Sequence, residues 1–437
     1  MMTHFPDPVE LLRALLRFDT TNPPGAERAC IEWIAGQLDA AGIAFSQHGR
    51  TPERPNLVAR LPGRGEAPPL LLYGHVDVVP TDGQSWTHPP FSATIDQGFV
   101  WGRGALDMKG AVAMMLATMF RLMGERMKPP GDVVLAVVSD EEAGGIEGAG
   151  FLVEHHFGLF EGIRHALGEL GGFTQHVAGR RFYPIMVAEK QFCRVRMRIR
   201  GESGHGSIPV LGSAIGRLGT ILRRLDRQPL PVHVTPVARQ MITTMARHLP
   251  PAQGLVLRSL LRPTLTDRLL PRLAVLGGNL SAILHNTATP TIIEAGAKVN
   301  VIPGEAAIEL DARILPGQTV DDLVRELRAV VREDVEIETE PGPPSPALPD
   351  MSQFEMLGGI LREADPGAIP LPFLLPAVTD ARHFTRLGIQ TYGFTPMRLP
   401  PELPFSRLIH AADERIPLDA LEFGTRAMLE AVMRYRG

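Results

Sequence analysis

Four stretches of this 437-residue chain set side chains that can ligate a cation or move a proton beside runs built for burial or tight glycine turns. In Leu-Leu-Leu-Tyr-Gly-His75-Val-Asp77, a histidine and an aspartate two residues apart leave one side of an apolar strand at its carboxyl end. That edge is where α/β sheets bind ligands. Ser139-Asp-Glu141-Glu142-Ala-Gly-Gly145 directly follows the apolar run Val133–Val138. Three carboxylates at one strand end repel one another unless a cation neutralises them; the alternative is a solvated acidic loop. Asp107 follows a Gly-Arg-Gly turn and precedes a helix, so it is either a functional carboxylate or an N-cap. Glu169 ends a short run, His165-Ala-Leu-Gly-Glu169, that leads into glycines.

The elements that must position these groups are legible from periodicity. Val9, Leu12, Leu15 and Leu16 mark one helical face, and Ile31, Ile34 and Leu38 mark another that stops at Gly42. Leu70–Tyr73 and Val133–Val138 are too short for helices and read as strands buried on both faces, with a helix over Gly110–Met123 between them. Strand, helix, strand predicts a largely parallel α/β sheet with right-handed crossovers. Near residue 190 the pattern changes. Arginines alternate with Val195, Met197 and Ile199 through Arg194–Arg200, the mark of a strand with one wet face, and Ile308–Ile314 repeats it with Arg313 on the polar side. A helix with Leu323, Leu327 and Val330, a strand near Val335–Ile337 and a proline-rich linker from Pro341 to Pro349 complete a second unit. Phe354–Ala364, Gln390–Phe394 and Leu418–Arg434 return to the first sheet. The expectation is therefore a mixed, largely parallel sheet flanked by helices over residues 1–190 and 341–437, with a smaller α+β domain inserted at 191–340.

Composition supports two cores, with 44% apolar residues in a length beyond one ordinary domain. Forty-four basic and 48 acidic residues are mixed along the chain, so neither nucleic acid nor a membrane is an expected partner. Only Cys30 and Cys193 occur, which argues against a disulfide framework and a thiolate metal site and points to a reducing cytoplasm. The first 19 residues lack the basic and apolar regions of an export signal, and no 20-residue apolar span follows.

The order of motifs resembles the metallopeptidase family of aminoacylase, carboxypeptidase G, succinyl-diaminopimelate desuccinylase and acetylornithine deacetylase. The matched stretches are Asp19-Thr-Thr-Asn-Pro-Pro-Gly25, Gly74-His75-Val-Asp77-Val-Val-Pro80, Gly102-Arg-Gly-Ala-Leu-Asp107-Met-Lys-Gly110, Asp140-Glu-Glu142 and His410-Ala-Ala-Asp-Glu-Arg-Ile-Pro417. By position, the resemblance makes Asp107 a carboxylate bridging two metals. His75 and Glu169 would complete one site, Glu142 and His410 the other. Nitrogen and carboxylate ligands without thiolate suit Zn²⁺, with Co²⁺ or Mn²⁺ able to substitute. Asp77 would orient the His75 imidazole. Two such ions acidify a shared water and polarise the substrate carbonyl, so hydroxide is the expected nucleophile and Glu141 its general base.

In the inserted domain, which the resemblance makes a lid and dimerisation unit, His205 would reach across a homodimer interface to the oxyanion. Asn300 and Arg313 would grip the substrate carboxylate, although Arg313 has Asp311 as an alternative partner. Gly393 would contact substrate, whereas His88, His155, His156, His285 and His383 fall outside the matched positions and read as structural. A long helical segment over about residues 226–290 most resembles the branch acting on N-acyl amino acids and small peptides. The implied activity is cleavage of an amide or peptide bond in a small substrate with a free carboxylate. Alternatives are a hydrolase of N-carbamoyl (ureido) acids and an inactive binding protein of the same fold.

Overall fold

The computed structural model describes residues 6–273, 280–403 and 405–437. They form two compact units. The first comprises Met1–Val187, Asp350–Phe373 and Thr379–Gly437; the second comprises Ala188–Pro349 and Leu374–Val378.

The first unit is built on a mixed sheet ordered Phe45–His48, Asn56–Leu61, Val133–Val138, Leu70–His75, His165–Gly168, Gln390–Gly393, Arg180–Glu189 and Ala368–Leu375. The central four strands run parallel and the flanking pairings are antiparallel. Every residue of Val133–Val138 and Leu70–His75 is buried, as continuous β-branched and leucine runs require. Each such side chain contributes about 1.5–3 kcal/mol on burial. The helix Lys109–Gly124 is buried along nearly its whole length, packing on the strand Leu70–His75 and on the helices Pro8–Leu16 and Leu418–Arg434. Its start, immediately after Asp107, is thereby fixed.

The second unit is a four-stranded antiparallel sheet ordered Thr287–Ala295, Glu305–Ile314, Gln191–Arg200 and Glu336–Pro341. Val195, Met197, Ile199, Ile308, Leu310 and Ile314 form its core with the helices Ala214–Arg227 and Val320–Val331. The helices Pro236–His248, Pro251–Ser259 and Pro263–Leu269 occupy the long helical segment, of which residues 274–279 lie outside the described residues.

Two local expectations need correction. The strand Thr287–Ala295 escapes a periodicity reading because it lies at the sheet edge with mixed burial, and Pro290 sits at a shift in its register. Pro341 does not open a linker: it ends the other edge strand, where its missing N–H costs no ladder bond.

Candidate metal centre

The register of the central strands assembles the site. His75 pairs with Val138 and Leu72 with Leu167, so the parallel strands Val133–Val138, Leu70–His75 and His165–Gly168 end side by side. Their next residues are the acidic loop, the His75–Asp77 turn and Glu169. Asp107, at the start of the buried helix, and His410, from a loop near the C-terminus, complete the cluster.

Among the described residues two groups have the spacing of a metal site, His75 with Asp107 and Glu169, and Asp107 with Glu142 and His410. Within each group the candidate ligand atoms lie within 4.8 Å of one another. His75 Nε2 is 3.3 Å from Asp107 Oδ1 and 3.8 Å from Glu169 Oε2. His410 Nε2 is 3.4 Å from Asp107 Oδ2 and 3.2 Å from Glu142 Oε2. Asp107 thus faces one group with each oxygen. Glu142 Oε1 and Glu169 Oε1 are buried without a hydrogen-bond partner among the described residues. A buried acceptor left unpaired costs about 1–3 kcal/mol, more if charged. Oxygens of this kind, beside imidazole nitrogens and with no thiolate, fit divalent cations.

The electrostatics are those of a cluster waiting for positive charge. Burial raises the carboxyls of Glu142 and Glu169 despite the nearby histidines. His410 is raised to about 10 by its contacts with Asp107 and Glu142. Burial disfavours the charged form of His75, but Asp107, Asp77 and Glu169 more than offset this and hold it well above its usual value. These shifts favour retention of protons in the cluster, and bound cations would reverse them. Glu141, half-buried, has its carboxyl pushed well above the ordinary range by desolvation and then by the charge of Glu169.

The surrounding residues tie the site's loops together through side chains that bind backbone groups. The Asp77 carboxylate accepts from the amides of Glu141 and Glu142, both at 3.1 Å, and from Asn22 Nδ2 at 2.9 Å. His75 Nδ1 meets the Asp77 carbonyl at 3.0 Å, closer than the carboxylate at 3.4 Å, so the expected orienting role belongs first to the backbone. Glu414, fully buried, accepts from the amides of Gly104, Leu106 and Asp107 and from Arg103 Nη1 at 2.7 Å. Gln84 in turn donates to the His410 carbonyl and accepts from Arg103. Glu414 and Gln84 thereby link the loops that carry Asp107 and His410.

Sequence reasoning assigned no role to Asn22, Glu414 or Asp380. Asn22 and Glu414 lie inside motifs already singled out, which was the available signal. Asp380 is buried with neither oxygen hydrogen-bonded among the described residues, and burial holds its carboxyl well above the usual range. It backs the acidic loop at Gly145, where a Cβ would fall 2.3 Å from Asp380 Oδ1 at a φ of +67°. His383 packs beside it, its Nε2 3.2 Å from the Gly144 carbonyl, and burial lowers its pKa to about 4.

In the second unit, the strand pair Gly204–His205 and Val301–Ile302 brings His205 close to Asn300, with the Gly206 amide donating to the Asn300 carbonyl at 2.9 Å. His205 is exposed, with Nδ1 2.7 Å from Ser207 Oγ. Arg313 forms two hydrogen bonds to Asp311, at 2.6 and 2.9 Å, and lies 5.0 Å over the Phe192 ring. Its Nη1 is the donor left buried without a partner among the described residues. Gly393, expected to contact substrate, is closely packed: a Cβ there would lie 2.5 Å from the Glu169 carbonyl oxygen. Its absence lets the strand that leads into Glu169 approach.

Comparison with known proteins agrees with this geometry. Residues 71–434 match peptidase family M20/M25/M40. The chain is 30% identical over 368 residues to a probable carboxypeptidase S-like 2 of Dictyostelium discoideum, covering 80% of this chain and 68% of that protein. It is 29% identical over 377 residues to the N-fatty-acyl-amino acid synthase/hydrolase PM20D1 of Bos taurus, covering 83% and 73%. The fold is similar to that of the M20 family metallo-carboxypeptidase Sso-CP2 from Sulfolobus solfataricus, with a TM-score of 0.70 at 17% identity, covering 98% and 99% of the two chains. No helix among the described residues is long and apolar enough to cross a membrane. The chain is a hydrolase that belongs to peptidase family M20/M25/M40.

Proposed function

We propose that this chain hydrolyses the amide or peptide bond of an N-acyl amino acid or short peptide that carries a free carboxylate. The observation that carries the reading is one carboxylate, Asp107, shared by two ligand groups, with the acid Glu141 next to a ligand and in neither group. His75, Asp107 and Glu169 would hold one divalent cation, and Asp107, Glu142 and His410 another, with zinc our assignment and Co²⁺ or Mn²⁺ able to replace it. Such a pair supplies Lewis-acid polarisation of the scissile carbonyl and a more acidic water.

Glu141 takes a proton from the attacking water and passes it to the departing amine nitrogen. Asp77 holds the amides of Glu141 and Glu142, so the base and its neighbouring ligand move as one loop. Glu414 holds the amide of Asp107 in the same way. The family resemblance assigns oxyanion stabilisation to His205, supplied by the partner of a homodimer, and carboxylate binding to Asn300 and Arg313. The unpartnered Nη1 of Arg313 supports the last assignment. The names of the relatives, a carboxypeptidase and an N-fatty-acyl-amino acid synthase/hydrolase, support the substrate class. Two buried free cysteines suit a reducing compartment, and we place the chain in the cytoplasm.

The test is a panel of N-acetyl and long-chain N-acyl amino acids, dipeptides and N-carbamoyl amino acids incubated with zinc-loaded protein, products being followed by chromatography. Release of free amino acid from acyl or peptide substrates is expected. Turnover of the carbamoyl compounds alone, or of nothing, contradicts the reading. Mixing His205→Ala with Glu141→Gln chains should restore activity in the heterodimer, and failure in a verified heterodimer removes the in-trans role.

A further inference from the structure

The balanced charge of the whole chain conceals a local asymmetry in the helical segment that the hydrolytic reading leaves without a role. Between Pro236 and Leu273 there are six arginines, Arg239, Arg247, Arg258, Arg262, Arg268 and Arg272, and one acid, Asp267. With the chain at −4, this +5 segment leaves −9 for the remainder. All six arginines are exposed, and none makes an ion pair or side-chain hydrogen bond among the described residues. Asp267 is taken by His285 Nε2 at 3.0 Å. Arg194, Arg198, Arg200, Arg217 and Arg434 each hold a glutamate, whereas Arg126, Arg180, Arg227 and Arg426 share the unpaired state among the described residues; what sets the segment apart is six such arginines with a single acid.

The apolar side chains of the segment divide in two. Val237, Met241, Ile242, Met245, Leu257 and Leu260 are buried and account for its packing. Leu255 and Val256, on the helix Pro251–Ser259, are 68% and 36% exposed. At 100° per residue they share one arc with Ala252 and Ser259, and Arg258 flanks that arc. Exposed aliphatic side chains flanked by Arg258, on a segment with five further arginines unpaired among the described residues, fit a surface that offers hydrocarbon and negative charge together. We propose that the segment Pro236–Leu273 docks on an anionic lipid surface, Leu255 and Val256 entering the headgroup boundary while the arginines meet lipid phosphates. The segment contains no Phe, Tyr or Trp, which single-stranded nucleic acid would need for base stacking, and the exposed leucine and valine serve no phosphate backbone. This peripheral contact departs from the expectation of a chain with no membrane partner, and it stands apart from the hydrolytic reading.

The full-length, metal-loaded protein should co-float with vesicles of phosphatidylcholine and phosphatidylglycerol, not with phosphatidylcholine alone, and high salt should release it. At about fivefold per basic residue, the paired variant Arg258→Gln/Arg262→Gln should partition roughly twenty-five-fold more weakly. Leu255→Ser/Val256→Ser should also weaken binding, and all four positions are exposed or lie outside the core, so melting temperatures should hold. Failure of the wild-type protein to float with anionic vesicles overturns the proposal, whatever becomes of the variants. Tighter capture by single-stranded or duplex DNA than by vesicles overturns it too.

Discussion

Two regions of this molecule are crowded with charge, and they are built on opposite rules. On the wet face of the small sheet, Arg194, Arg196, Arg198 and Arg200 are matched by Glu309, Glu294, Glu338 and Glu336 across neighbouring strands. Each charge there has an opposite partner, and most of them lie in water, although Glu309 is buried and Arg196 Nε lacks a hydrogen-bond partner among the described residues. At the ends of the large sheet's central strands, Asp107, Glu142 and Glu169 crowd around two histidines, with one oxygen each of Glu142 and Glu169 buried and unpaired among the described residues. Both regions look like charge runs in the sequence. What separates them is an unmet requirement: the first needs nothing further to be stable, whereas the second is stable only with cations or protons in it.

The contrast breaks most sharply on metal removal. Treatment with a chelator should reduce turnover to background, and added Zn²⁺, Co²⁺ or Mn²⁺ should restore it; activity that survives complete stripping contradicts the assignment. Glu141→Gln comes next, with a loss of about 10²–10⁴-fold in kcat and unchanged metal content. Loss of metal in that variant would make Glu141 a ligand and not the base. Glu414→Gln removes the partner of a buried arginine and the anchor of the Asp107 amide. It should cost about 3–5 kcal/mol of stability and weaken metal affinity by about 10–100-fold. A variant with unaltered melting temperature and metal affinity would show that the loop needs no such anchor.

Stability against pH sharpens the same comparison. Burial holds Glu142 and Glu169 above their usual 4.5, and the carboxylates around His410 hold it at about 10. In each case the folded, metal-free chain keeps a proton that the unfolded chain releases first as pH rises. Stability contributed by His410 is full below pH 6.5 and lost toward about pH 10. The raised carboxyls subtract stability from pH 4.5 upward. The metal-free protein should therefore melt at lower temperature as pH rises from about 5 to about 9, while the loaded protein stays flatter. A metal-free melting temperature that climbs across this window contradicts the protonated cluster. The smallest effect belongs to the paired face, where Arg198→Ala should leave both melting temperature and turnover nearly unchanged.

How much of this was legible in the sequence depended on whether a residue's role was local. His75, Asp107 and Glu142 stand at the ends of buried runs or beside a glycine turn, so their positions carry their own signal, whereas Glu169 ends a short run that says little alone and rests on the family resemblance. His410 has none: it sits in a loop at a φ of +62°, and only the family resemblance brought it in. Glu414 and Asn22 act through backbone amides and carboxylates far along the chain, and Asp380 through packing behind Gly145. No periodicity encodes such partnerships. The strand Thr287–Ala295 was hidden for a related reason, since Pro290 and an exposed edge erase the alternation that reveals strands. The arginines of the helical segment vanished into a balanced total because charge was summed over the chain and not over the element that displays it.

The central claim is that Asp107 is shared between two ions, each completed by a different pair of ligands. Metal content by inductively coupled plasma mass spectrometry tests it directly on the wild-type, Glu169→Gln, Glu142→Gln and Asp107→Asn chains. The account predicts two ions per wild-type chain, one after either glutamate substitution, and less than one in Asp107→Asn. A single ion in the wild type, or two ions retained in Asp107→Asn, would contradict it.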